Sequence, residues 1–581
     1  MDPVGRLPLH VLREYALIAD GERGALVGPR GDIVWLCAPR WDSDAIFASL
    51  IGGAGSYAVT PIPRFVWGGY YERNSLIWRS RWVTEDGIIE CREALAFPGD
   101  PDRVVVLRRI LAVRGDARLS VSLEARTDFG ARPFSDLERR EKIWIARTGR
   151  LRLRWQGADA ARPSTARTHR RLEMMLTVPE GHHHDLTLEI TSAGLPTELV
   201  DPDTAWGSTE AAWKQAVPEL DSCLSPSDAR HSYAVMRGLT SDSGGMVAAA
   251  TTSLPESAEA GRNYDYRYVW IRDQCYAGHA LAAAGDSELL AKGVHFVADR
   301  LLDHGRDLKP AYTATGSRVP DQRELPLPGY PGGFDRIGNW VNAQFQLDAF
   351  GEALLLFADA ARYDLVDATT WRAAEIAVDA IATRWNELDA GIWEIDNRAW
   401  THSRLTAVAG LRAVSDIPSA AGPRPDWSVL ADRIFADTSA HATHPSGHWQ
   451  RSPDDEGLDG SLLLPPLRGG VPANDPRTPA TLAAYRRDLT IEGYGYRFRH
   501  DDRPLQDAEG SFTLCGFLMA MATHQQGDRV EALSWWERSR GLCGAPMLYS
   551  EEFDTTERQL RGNFPQAFVH AVMLETAAKL V

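Results

Sequence analysis

Across the first two hundred residues, apolar and polar positions alternate with a period of two. Leu119, Val121 and Leu123 alternate with polar neighbours, as do Leu151, Leu153 and Trp155, and Leu186, Leu188 and Ile190. A period of two sends every second side chain to the same face, so these runs predict strands with one buried and one wet face. Gly, Pro and Asp punctuate them, as in Phe97-Pro98-Gly99-Asp100-Pro101-Asp102, which fits the hairpins of a β-sandwich. After about residue 200 the period changes. Leu347, Phe350, Leu354 and Phe357 recur at helical spacing, and Phe568, Val572, Glu575 and Ala578 do the same apart from one acid. Helical stretches continue to the C-terminus, broken by long Gly/Pro-rich loops such as 310–334 and 450–478, a length that usually carries function. The pattern predicts a β-domain over 1–200, a linker over 201–228 holding Pro202, Pro218 and Pro226, and an all-α domain over 229–581.

Composition narrows the class. A chain of 581 residues exceeds one ordinary core, in keeping with two domains. With 44% hydrophobic and 24% charged residues it reads as a soluble globular protein. A formal charge of −16 argues against a nucleic-acid partner, which needs clustered Lys and Arg, whereas a neutral polyol makes no such demand. Cys37, Cys91, Cys223, Cys275, Cys515 and Cys543 are widely spaced without a Cys-x-x-Cys pair, so small buried thiols are expected rather than a zinc site. His182-His183-His184 reads as a solvated turn, because consecutive side chains on a strand edge point to opposite faces. The first thirty residues carry Arg13, Glu14, Asp20, Glu22 and Arg23 and no signal-peptide core, and no run has the roughly 20 apolar residues of a membrane helix. The expectation is a cytoplasmic protein without cofactor or metal; oligomeric state is not legible.

The densest chemistry lies in Asn263-Tyr264-Asp265-Tyr266-Arg267-Tyr268-Val269-Trp270-Ile271-Arg272-Asp273. Aromatic faces stack on the C–H face of a sugar ring, and Arg and Asp make paired hydrogen bonds to its hydroxyls. Asp389-Ala390-Gly391-Ile392-Trp393-Glu394 sets a carboxylate after a tryptophan and a tight turn, and Ser550-Glu551-Glu552-Phe553-Asp554 offers a second acidic site among aromatics. Two separated carboxylates plus a sugar-gripping segment are the parts that glycoside hydrolysis needs.

These segments, in this order, resemble glycoside hydrolase family 15, which contains glucoamylases, glucodextranases and bacterial trehalases. The likeness also takes in Gly31-Asp32-Ile33-Val34-Trp35-Leu36, Thr251-Thr252-Ser253-Leu254-Pro255-Glu256, Arg336-Ile337-Gly338-Asn339, Gln344-Phe345-Gln346-Leu347-Asp348, Glu509-Gly510-Ser511-Phe512 and the closing Gly562-to-Phe568 motif. It implies an N-terminal β-sandwich followed by an (α/α)6 barrel. By the same likeness Glu394 is the general acid, with Trp393 as an apolar wall, and Glu551 the general base. Glu552 is its rival, since adjacent residues cannot both face one cavity, and is expected to hold a neighbouring loop. Arg272 and Asp273 would grip the terminal glucose, with Tyr266 and Trp270 walling the same subsite. Arg336, Asn339 and Arg497 are further candidates for its edge, and Glu509 is expected to be structural.

The chain departs from the family pattern after the acid, where Trp400, His402 and Arg404 replace other residue types. These are expected to line the leaving-group subsite. The reading that follows is an inverting exo-acting hydrolase releasing β-glucose from α-glucosidic oligosaccharides, glucoamylase-like, with trehalose hydrolysis as the alternative. A decayed carbohydrate-binding protein and a phosphorylase are the lesser ones.

Overall fold

The computed structural model describes residues 8–164, 171–256, 262–417, 424–500 and 504–581. Alternation becomes strands where it was read. Ala117–Glu124 buries every second residue, and Leu119, Val121 and Leu123 all face inward. Two eight-stranded antiparallel sheets result. In one, Arg103–Arg114 runs between Ile88–Leu95 and His183–Thr191; in the other, Ala117–Glu124 runs between Ser56–Pro61 and Leu172–Val178. Their inner faces enclose an apolar core that includes Trp78, Trp82, Val106, Ile110, Val121, Trp155 and Leu188.

The span read as a linker holds a helix, α1 (Pro202–Ala216). Pro202 stands in its first turn, where a missing N–H costs nothing, and Asp201 caps it through Thr204 N. Trp213 stacks on Phe97 at 4.0 Å, and Arg92 lies 4.4 Å over Trp206, so the segment is docked on the sandwich.

The helical domain comprises α2 (Pro226–Leu239), α3 (Ile271–Ala284), α4 (Glu288–His304), α5 (Leu347–Ala361), α6 (Ala368–Arg384), α7 (Thr401–Ser415), α8 (Pro425–His441), α9 (Leu464–Leu467), α10 (Arg477–Asp488), α11 (Leu505–Ala508), α12 (Thr513–Gln525), α13 (Arg529–Arg540) and α14 (Ala567–Lys579). Helices α3, α5, α7, α9, α12 and α14 pack each on the next, and α14 returns to α3. Helices α4, α6, α8, α10, α13 and α2 lie outside them. This is an (α/α)6 barrel. The inner helices are apolar all round because they are enclosed on every side: α5 buries Leu347, Phe350, Leu354 and Phe357 together with Asp348 and Glu352. Helices α5 and α7 meet at Gly351 and Gly410, where an added Cβ would stand 2.6 Å from the Thr406 backbone and 2.4 Å from Gly351 O. Part of the long 450–478 loop is in fact α9, one of the ring members.

The sandwich buttresses the barrel mouth. Trp35 Nε1 donates to Ala250 O, and the buried Arg267 guanidinium, paired with Asp265 at 2.7 Å, donates to Ser43 O at 2.7 Å. The motif around Trp35 therefore braces the segment that carries Tyr266 and Trp270. No described helix is long and apolar enough to cross a membrane. The six cysteines are unpaired, five of them buried.

Candidate active site

One cavity of about 510 Å³ opens at the barrel mouth and is lined by Tyr266, Trp270, Arg272, Asp273, Arg336, Asn339, Trp393, Glu394, Arg497 and Glu551. Ten of the thirteen expected site residues, from five separate stretches of chain, thus meet in one space. Trp400, His402 and Arg404 do not line it; Arg404 is buried with its guanidinium on Trp400 O and Glu387 O. Trp400 is buried behind the acid loop, its Nε1 donating to Asp396 O and its ring against Gly391, where an added Cβ would come within 2.6 Å. His402 is buried in the first turn of α7 with Nε2 on Thr406 Oγ1 at 3.3 Å. Trp400 and His402 point into a small void shared with Trp393 and Asp459. Spacing of six to eight residues from Glu394 suggested reach to the leaving sugar, but helix α7 turns them behind the loop.

Glu394 stands at the tip of a loop that closes on itself. Asp389 and Arg398 exchange backbone hydrogen bonds at 3.0 Å, and the Asp389 carboxylate accepts from Gly391 N and Ser403 Oγ. Gly391 supplies φ +64°, and Glu394 itself adopts φ +53°, an uncommon and costly conformation for a side-chain-bearing residue. Its Oε1 accepts from Trp270 Nε1 at 2.8 Å and Gln346 Nε2 at 3.0 Å, and its Oε2 from Gln344 Nε2 at 3.2 Å. Arg272 lies 3.7 Å from Oε1 and is itself held by Gln346 Oε1 and Asp348. Trp393, expected as the wall, instead donates its indole N–H to Asp459 at 2.6 Å and packs edge-on against Phe512. Trp270 is the indole that touches the acid. The Gln344-to-Asp348 motif thus holds Glu394 and Arg272, a role that the motif's two amides could have signalled.

Glu551 enters from the opposite end of the chain, just before the strand Glu552–Asp554, which pairs with Ser511–Phe512 and Gln559–Arg561. Strand alternation separates the two acids. Glu551 lines the cavity, whereas Glu552 is fully buried and accepts from Arg497 at 3.1 Å and Gly510 N at 3.0 Å. Glu551 Oε1 has one long contact, Tyr266 OH at 3.5 Å, and Oε2 is buried without a partner. Burial, and then the neighbouring Glu256, push Glu551 well above the usual carboxylate range, with Arg497 opposing.

Arg497 sits at the centre of this side, buried, 2.6 Å from Glu509, 3.1 Å from Glu552 and 3.6 Å from Glu256. It also lies 4.6 Å over the Phe512 ring. Glu509 feels burial most, but Arg497 and His500 outweigh it and hold its carboxyl down at about 2. Arg497 was expected at the sugar's edge; its guanidinium is committed to carboxylates. Asp273 lines the cavity, and burial, opposed by Arg272, pushes its carboxyl up to about 7. Asn339 caps a short 3₁₀ turn through Val341 N while lining the cavity, and Arg336 lines it with Nε unpartnered. Tyr264, stacked on Tyr266 at 6.2 Å, and the exposed Trp340 extend the aromatic lining to the rim.

His183, Asp185 and Asp203 bring ligand-type atoms together at the sandwich edge, but Arg109 already bonds both carboxylates there. The arginine occupies the place a cation would take.

Comparison with known proteins gives the same direction. The chain matches the trehalase-like N-terminal model over residues 6–153 and the glycosyl hydrolases family 15 model over 231–578. It is 29% identical to a trehalase of Mycobacterium tuberculosis over 99% of this chain and 90% of that protein, and 29% identical to a trehalase of Mycolicibacterium smegmatis over 100% and 92%. A bacterial glucoamylase solved with acarbose superposes with a TM-score of 0.71 at 13% identity, covering 99% of this chain and 96% of that one, which is a likeness of fold. With its sandwich, its barrel and its match to the family model across the barrel, the chain is a glycoside hydrolase and belongs to glycosyl hydrolases family 15.

Proposed function

We propose that the protein hydrolyses α,α-trehalose with inversion, using Glu394 as general acid and Glu551 as general base. The observation that carries the reaction type is that these two carboxylates, far apart in sequence, line one cavity whose other walls suit a glucose ring. In this reading Arg272 and Asp273 grip the terminal glucose and Tyr266 and Trp270 wall it. Glu551 takes a proton from a water that attacks the anomeric carbon, while Glu394 gives its proton to the departing glycosidic oxygen, leaving β-glucose and glucose. Inversion needs the carboxyls about 6.5–9.5 Å apart, with room for that water. The unpartnered Oε2 of Glu551 suits a base that must accept from water. Oε1 of Glu394 accepts two N–H groups and Oε2 only one, at 3.2 Å, which suits Oε2 as the oxygen to carry a proton.

Trehalose is placed ahead of the glucoamylase-type substrates first expected because full-length relatives are trehalases and the sandwich matches a trehalase-like model. The cavity falls within the ~300–1,000 Å³ typical of small-molecule sites. The second reading, hydrolysis of α-glucan oligosaccharides, is favoured by the aromatic rim at Trp340 and Tyr264, which could carry further sugar units. Assays on trehalose, maltose, isomaltose and maltotriose, with the released anomer followed by NMR, decide between them. Faster hydrolysis of maltotriose than of trehalose would overturn the substrate, and initial release of the non-reducing glucose of maltose as the α-anomer would overturn inversion.

A further inference from the structure

The base side holds more carboxylates than a two-carboxylate reaction uses, and they are not held alike. Glu509 has Arg497, His500 and Arg262 around it, and Glu552 has Arg497 and Gly510 N. Glu256 is the exception. It is buried and lines the cavity, yet it reaches Arg497 only at 3.6 Å and Tyr266 OH at 3.4 Å. Its position is nevertheless fixed by the backbone. Glu256 N donates to Arg262 O, and Pro255 O accepts from Gly562 N at 2.8 Å, which ties it to the residue just beyond Gln559–Arg561, the strand paired with the one that follows Glu551. A Cβ placed on Gly562 would lie 3.5 Å from Glu551 Oε2 and 3.8 Å from Glu256 Cγ, so both acids crowd the same spot. The Tyr266 hydroxyl stands between them, 3.4 Å from Glu256 Oε1 and 3.5 Å from Glu551 Oε1. It has one proton to offer to two acceptors.

We propose that Glu256 is a positioning residue that governs Glu551, by its own charge and by competing for the Tyr266 hydroxyl. This rests on the reading of Glu551 as the base. While Glu551 is ionised, Tyr266 turns its O–H toward it and Glu256 stands beside it as a like charge, which makes Glu551 a stronger proton acceptor. When Glu551 has taken the proton from water, it no longer needs that donor. Tyr266 then turns to Glu256 without losing its own proton, and Glu551 returns its proton to solvent as glucose leaves. The other charged or titratable groups around the pair are Arg497, Glu509, Glu552, Arg262, Tyr264, Asp273 and, acting on Tyr266, Glu394.

Activity on the low-pH side rises as the base ionises. Removing a like charge beside Glu551 lets it ionise at lower pH, so Glu256→Gln should move the acidic limb of kcat/KM down by about one pH unit. Its kcat should fall, because a weaker base accepts less readily. Glu256→Asp keeps a carboxylate drawn back by one methylene and should move the limb the same way by less. A purely structural acid would lower the melting temperature and leave the limb where it is. An unmoved limb in every variant that folds overturns the role of Glu256. Retained activity in Glu551→Gln would instead remove the base reading on which it stands.

Discussion

Glu394 reaches the cavity on a self-closed loop and is met there by three N–H donors, two from the Gln344-to-Asp348 segment and one from Trp270. Glu551 arrives at the start of a short strand, with one long contact to Tyr266, and its surroundings are other carboxylates gathered on a single arginine. The contrast follows the work proposed for each. A group that must deliver a proton to one fixed oxygen gains from donors that orient it. A group that must accept from a mobile water needs an oxygen left free, and crowding by like charge keeps its affinity for the proton high. Orientation on one side and electrostatics on the other are two routes to the same end.

The contrast breaks first at the carboxylates themselves. Glu394→Gln and Glu551→Gln should each lower kcat by about 10²–10⁴ with the folded state intact by circular dichroism. Glu552→Gln should lower it far less, since Glu552 faces Arg497 and not the cavity. If Glu552→Gln is the silent enzyme and Glu551→Gln the active one, the base side has been read one residue out of register.

The supports behind each carboxylate come next. Arg497→Met would leave Glu509 and Glu552 buried without their cation, and breaking such a pairing from one side costs about 3–5 kcal/mol. Denaturant unfolding should show that loss; a midpoint near wild type would mean the acids hold one another by shared protons instead. On the acid side Trp400→Ala should cost about 3 kcal/mol by opening a cavity behind Gly391. Inhibition by glucose and KM for disaccharides should then shift together or not at all. A selective rise in KM for disaccharides would restore the leaving-group role that the sequence suggested for Trp400.

That reversal marks where sequence reading stopped. Period-two and helical spacing carried the strands around Leu119 and the helix at Leu347, because each pattern is local and is set by one buried face. The motif order carried ten residues into one cavity. Trp400 and His402 were misplaced because distance along the chain says nothing of which side of a helix start a ring takes. The cluster on Arg497 was hidden for a different reason. Glu256, Arg497, Glu509 and Glu552 come from four stretches of chain, and nothing in any one stretch tells which acid an arginine will choose. The helix in the linker was hidden by its own prolines, which read as breaks although Pro202 and Pro226 each open a helix.

Asp273 offers the smallest and sharpest test, because it senses both sides: Glu394 acts on its charge, and its own charge acts on Glu551. Burial raises its carboxyl to about 7, against Arg272. A carboxyl raised on folding binds its proton more tightly in the folded chain, so it lowers stability as pH rises. The cost starts near its unfolded value, close to 4, and is complete once pH passes about 7. Asp273→Asn removes that cost while keeping the shape. Its melting temperature should match wild type near pH 4 and exceed it by about 1–3 °C at pH 8, although glucose no longer inhibits. Such a result would mean that the chain keeps a destabilising acid in the cavity for the sake of the sugar. Equal melting at pH 8 would mean that Arg272 compensates Asp273 in full, and the electrostatic character assigned to the base side would then stop short of the subsite between the two carboxylates.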